Sequence, residues 1–180
     1  DRIGQPDEPD VAYRAALDGS PGNVPLIRQA ADFYLRREKP LEAEPLLRRL
    51  CDGSLQGGQE ERTWARRNLA LILAVRGGAA NLELAQDLVQ ANRLEESDGP
   101  ADRRTKAMVL AASPDPRAQA EAIAILENLA KSLPAGEARN PEEQFVLARL
   151  YLARNQWSKG TAEMRSLLAS HADEPRYVAA

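Results

Sequence analysis

Residues branched at the β-carbon are scarce in this chain: valine, isoleucine and threonine number 7, 5 and 3 among 180 residues. That is too little to furnish the pleated, half-buried faces of a sheet protein. Aromatics make up 4%, so the interior must be built from aliphatic side chains and close backbone approach. The one cysteine, Cys51, excludes an internal disulfide framework and leans toward a reducing compartment, which slightly favours the cytoplasm. The one histidine, His171, cannot build a two-histidine zinc helix or a histidine-rich metal cluster. The longest apolar run, Leu69 to Val75, falls far short of the roughly 18 residues that a membrane span needs. Asp1 to Asp10 is acidic and proline-rich, with neither a basic segment nor an apolar one, so no secretory signal is visible; a signal or anchor upstream would move the expectation to the periplasm. A net charge of −3 excludes a duplex-nucleic-acid binder drawn to phosphate by bulk charge.

What the chain does have is 31 alanines and 24 leucines, a helix composition. Turn clusters punctuate it at Ser20-Pro21-Gly22-Asn23, Gly53 to Gly58, Gly77-Gly78, Ser97 to Pro100, Ser113 to Pro116, Pro134-Ala135-Gly136 and Asn140-Pro141. The segments between them carry apolar residues at three- and four-residue spacing, which predicts helices joined by short turns.

Internal repetition decides the organisation. One slot in the first helix of each of four units holds a small residue, Ala31, Ala70, Ala107 and Ala148, and three residues later comes a large one, Tyr34, Leu73, Leu110 and Tyr151. The second helix opens with another small residue, Ala43, Ala85, Ala122 or Gly160, followed four residues later by Leu47, Val89, Leu126 or Met164. Small and large alternate because two helices approach closely only where a small residue lets a bulky neighbour settle over it. From large residue to next small one takes 9, 12, 12 and 9 residues, which predicts a three-residue insertion in the turns of units two and three, at Gly77 to Asn81 and Ser113 to Arg117.

These slots resemble those of the tetratricopeptide repeat family, with a helix-turn-helix period of about 34 residues. Unit four, with Leu147-Ala148, Tyr151, Trp157, Gly160 and Leu167, is most similar, and the resemblance covers residues 11 to 175. It implies an all-α fold, a right-handed solenoid of antiparallel helix pairs spanning about 23–52, 59–94, 100–133 and 141–171. Residues 1–22 would be the tail of a preceding repeat and residues 176–180 the start of another, as in an excerpt of a longer protein. The resemblance further implies a scaffold that holds a partner peptide or helix in the concave groove of its first helices. A structural or regulatory segment of a larger enzyme or envelope-associated protein is the alternative.

No arrangement of nucleophile, base or metal ligands is evident, so neither chemistry nor a cofactor is expected. Cys51, Tyr34 and Tyr151 read as packing residues, His171 as a helix-end residue, Glu142-Glu143 as acids favoured by a helix N-terminus. Trp157 reads as a packing aromatic over the turn; Trp64 is either an inter-unit packing residue or a partner anchor. Arg28, Arg67, Arg104 and Phe145 stand three places before the small slot, and Asp32, Leu71, Met108 and Arg149 one place after it. One turn apart on a single face, these eight are the candidate partner-binding residues. Their arginines suit an acidic or C-terminal carboxylate peptide, unless they pair with Asp32 and glutamates between units. Terminal helices left open offer a route to self-association.

Overall fold

A computed structural model describes residues 8–178 apart from 54, 56, 96, 97, 135, 136 and 173, so the expectations for residues 1–7 and 179–180 lie outside the described residues. The described residues form ten helical segments and no strand: α1 Glu8–Gly19, α2 Val24–Arg36, α3 Pro40–Cys51, α4 Gln59–Arg76, α5 Ala79–Leu94, α6 Pro100–Ala111, α7 Pro116–Lys131, α8 Pro141–Ala153, α9 Trp157–Ser170 and the single turn α10 Pro175–Val178. Seven of them have proline at the first or second position, where its missing N–H costs nothing and its fixed φ starts the helix. Asn23, Asp115 and Asn140 cap α2, α7 and α8 by accepting from the N–H groups of Leu26, Arg117, and Glu142 with Glu143.

The chain gathers into two compact units, residues 1–72 and 73–180, divided within α4. In the first unit α2 packs on α3 and α1 on α2; in the second α5 packs on α6, α6 on α7, α8 on α6, α7 and α9, and α10 on α9.

All eight small-slot residues are buried. Around the α6–α7 crossing, Ala107 and Ala122 share a core with Ile123, Leu126, Leu147, Leu150 and Tyr151. The α8–α9 crossing is tight: a Cβ placed on Gly160 would lie 2.6 Å from Leu152 Cγ and 3.2 Å from the Ala148 carbonyl oxygen. The large slots Tyr34, Leu73 and Tyr151 are buried, while Leu110, Val89 and Met164 are half-buried.

Pairs one and four share one turn. After α2, Glu38 takes φ 55°, its N–H donating to the Leu35 carbonyl and that of Lys39 to the Tyr34 carbonyl; after α8, Asn155 takes φ 59°, with the N–H groups of Asn155 and Gln156 donating to Leu152 and Tyr151. A left-handed residue thus closes each first helix and sets the next running back antiparallel.

The expected three-residue insertions are not in the turns. The turn between α4 and α5 is Gly77-Gly78 alone, with φ 69° and 85°. The additional residues form nearly one more helical turn at the start of the second helix: Ala85 and Ala122 lie six residues into α5 and α7, whereas Ala43 and Gly160 lie three into α3 and α9. Ala79-Ala80-Asn81 and Pro116-Arg117-Ala118 are compatible with a helical first turn, which extends the helix without disturbing the crossing.

Gly160→Leu should overpack the α8–α9 crossing and destabilise by about 2 kcal/mol, while Ala169→Leu, at an exposed site on α9, should leave thermal unfolding nearly unchanged. Glu38→Gly should raise stability by about 0.5–1 kcal/mol, since relief of left-handed strain exceeds the added unfolded-state entropy of glycine; chemical denaturation of the purified chain reads both.

Candidate partner-binding surface

The row three places before the small slot is occupied by contacts within the chain. Arg28, half-buried on α2, donates to Glu60 at 3.2 Å and Glu61 at 3.5 Å in the first turn of α4, and its guanidinium lies 5.3 Å above the Trp64 ring. Trp64 is therefore the platform for an arginine that bridges two successive first helices. Arg104 on α6 makes the matching contact with Glu143 in the first turn of α8. Where unit four carries Phe145, the ring packs 5.2 Å from Tyr177 of α10, whose hydroxyl donates to Glu142 at 3.0 Å. Glu142 and Glu143, expected only to complement a helix dipole, thus couple neighbouring helices. Arg67 is half-buried on α4.

The row one place after the small slot is more open. Asp32 pairs with Arg36 within α2 at 2.6 Å; Leu71 and Met108 are half-buried, and Arg149 is exposed with its guanidinium 5.7 Å over the Phe145 ring. Of the eight residues, the structure joins Phe145 and Arg149 directly.

A second set of inter-helix links is not evident from the slots alone. The Tyr34 hydroxyl donates to Asp10 of α1 at 2.5 Å, and the Tyr151 hydroxyl to Glu127 of α7 at 2.5 Å. Both pairs are 24 residues apart, and each joins a first helix to the second helix before it. That common spacing, running from an acid to a slot tyrosine, is the signal that reveals them. Arg14 grips Asp10 from one turn away, and Lys159 stands 3.7 Å from Glu127. The tyrosine hydroxyl is the main reason each carboxyl titrates below its ordinary value, with nearby cations adding to it. Burial, followed by the acceptor carboxylate, pushes both phenols up.

The remaining candidates behave as packing and cap residues, with one exception. Burial pushes the Cys51 thiol up to about 11, which keeps it protonated at neutral pH and disfavours a nucleophilic role. His171 caps α9, its N–H donating to the Leu167 carbonyl at 2.9 Å and its ring standing edge-on to Tyr177. Trp157, expected to pack over its turn, is 62% exposed at the first position of α9, because the turn before it is already closed by backbone hydrogen bonds from Asn155 and Gln156. Among the described residues no group of three or more metal-ligating side chains converges, and no helix is long and apolar enough to cross a membrane.

No family model, curated protein or solved structure matches this chain significantly.

Because the folded carboxyls of Asp10 and Glu127 titrate below their unfolded values, their stabilisation is complete above the ordinary carboxylate range and fades as pH falls through the folded pKa. Tyr151→Phe removes the main cause at Glu127. It should cost about 1–2 kcal/mol at pH 7 and flatten the acid limb of the stability profile; a loss equal at pH 7 and pH 3 would contradict the assignment.

Proposed function

We propose that this chain is a tetratricopeptide-like helical-repeat scaffold that binds a partner peptide or helix on the faces of its first helices and has no chemistry of its own. The carrying observation lies in the second unit, where half-buried Met108 stands four residues after Arg104 on α6 and the charge of that arginine is spent on Glu143 of α8. Side chains left partly open by such pinned neighbours suit recognition by shape and apolar contact. Arg149, exposed at the corresponding position of α8, would orient a partner rather than anchor it.

Occupation of Arg28 and Arg104 by internal glutamates changes the chemistry expected of the ligand at these faces. A carboxylate peptide would have to displace Glu60, Glu61 or Glu143 and leave one of them unpaired, so these arginines select weakly for acidic partners. A mixed apolar segment is the better ligand for the face of α6 that carries Met108. The cation-over-ring pairs Arg28–Trp64 and Arg149–Phe145 present flat, stiff surfaces that bind with little loss of side-chain freedom.

Peptides selected from a displayed library against the intact chain should lose affinity roughly tenfold or more on Met108→Asp, with amide shift changes on the faces of α6 and α8. Selected peptides whose contacts all map to α3, α5, α7 and α9, and whose affinity ignores this substitution, would refute the reading.

A further inference from the structure

On the other side of the second unit, α7 and α9 flank α8 and leave a cleft of about 440 Å³ between them. Its apolar base is Ala130 of α7, Leu147 of α8 and Ala162 of α9, and its polar lining is supplied by Lys131, Arg139, Lys159, Glu127, Glu163 and the edge of Tyr151. A cleft of about 260 Å³ stands in the equivalent place one pair earlier, among α5, α6 and α7. Counted from the small slots, Gln90 corresponds to Glu127, Arg93 to Ala130, Asp98 to Arg139, Lys106 to Leu147, Glu121 to Lys159 and Ile125 to Glu163. Two successive packings in the second unit therefore each leave such a cleft, and the side chains decide what each can hold.

The two differ in how their charges are used. In the earlier cleft a lysine replaces the floor leucine, and Lys106 closes on Glu121 at 2.6 Å, so floor and wall satisfy each other. In the later cleft the floor is Leu147 and both carboxylates are committed: Glu127 accepts from Tyr151 at 2.5 Å and lies 3.7 Å from Lys159, while Glu163 accepts from Arg139 at 2.8 Å and from Gln144 at 3.2 Å. Three cations face two carboxylates, and Lys131, exposed on the rim, makes no direct ion pair among the described residues, its charge acting on Glu127 without contact. Lys159 is loosely held, its ammonium 5.1 Å over the Tyr151 ring. Two adaptable ammonium groups thus stand on opposite walls above a small apolar floor.

We infer that the cleft between α7 and α9 is a second binding site, one that takes an acidic segment of a partner polypeptide by seating a carboxylate between Lys131 and Lys159 and its aliphatic stem on Ala130, Leu147 and Ala162. The geometry assigns to this cleft the recognition of acidic peptides that the arginines of the first helices, already paired, are poorly able to perform. Committed glutamates beside the lysines repel additional anions unless they reach the ammonium groups directly, which favours a carboxylate on a flexible stem over a diffuse polyanion. The site stands on its own observations and does not depend on the reading of the first-helix faces.

The test is fluorescence anisotropy of a labelled hexaglutamate peptide with the intact chain, together with amide shifts. Saturable binding is expected, with shifts at Ala130 and Ala162, and with affinity falling roughly tenfold in Lys131→Glu and in Lys159→Gln, as suits loss of a charge-assisted contact. Ala162→Trp, at an exposed site on α9, should block the cleft sterically without touching a charge, which separates pocket binding from general attraction. Lys106→Gln, Met108→Ala and Arg149→Gln should leave the affinity unchanged, and helical dichroism should show each variant folded. Affinity untouched by Ala162→Trp and Lys131→Glu would overturn the site, as would equal loss in Arg149→Gln or displacement by inorganic phosphate at concentrations matching the peptide.

Discussion

Close approach of paired helices at residues without a side chain to speak of is the constraint on which the rest of this molecule depends. Ala31 and Ala43, Ala107 and Ala122, and Ala148 and Gly160 are buried at equivalent places in three packed helix pairs. Where they meet, backbones come near enough for Leu152 to fill the space that a Cβ on Gly160 would need. With few aromatics available for a bulky core, packing is achieved by this proximity and by the leucines around it. The crossings also set which side chains lie opposite one another on successive pairs, and hence every longer link in the structure.

Two kinds of link follow from that register. Arginine on one first helix reaches glutamate in the first turn of the next, as in Arg28 with Glu60 and Glu61 and Arg104 with Glu143. Slot tyrosines reach back to acids on the preceding second helix, as in Tyr34 with Asp10 and Tyr151 with Glu127. Exposed ion pairs are individually worth little, so their main effect is to fix the stagger of neighbours that the apolar contacts alone would leave less sharply defined. The phenol–carboxylate bonds are stronger because one partner is charged and the other buried. Spending charge this way leaves Leu71 and Met108 as half-buried apolar residues on their helices and sets the cleft beside Lys131 apart in its chemistry.

The helix crossings were legible in the sequence because a small residue followed at fixed spacing by a large one records packing volume directly. Helix starts were legible for the same kind of local reason, in Asn23, Asp115, Asn140 and the prolines beside them. The additional residues of pairs two and three were misassigned to turns because Gly77-Gly78 draws attention to itself, whereas Ala79-Ala80-Asn81 signals a helix only weakly. The eight candidate binding residues were placed on their helices by periodicity, but the partners of Arg28, Arg104 and Phe145 depend on the offset between helices, which no single helix encodes. Trp157 was misjudged for a related reason: its turn is closed by backbone hydrogen bonds and needs no aromatic lid.

The small slots of paired helices must face each other in solution, since the links, the clefts and the open faces are all consequences of that register. Methyl-resolved nuclear Overhauser spectroscopy of the alanine-labelled chain tests this most directly. The account predicts cross-peaks from the Ala31 methyl to that of Ala43, from Ala107 to Ala122, and from Ala148 to the α-protons of Gly160. Absence of these cross-peaks, with Ala111 or Ala153 contacting the second helices in their place, would show the helices shifted by a turn and contradict it.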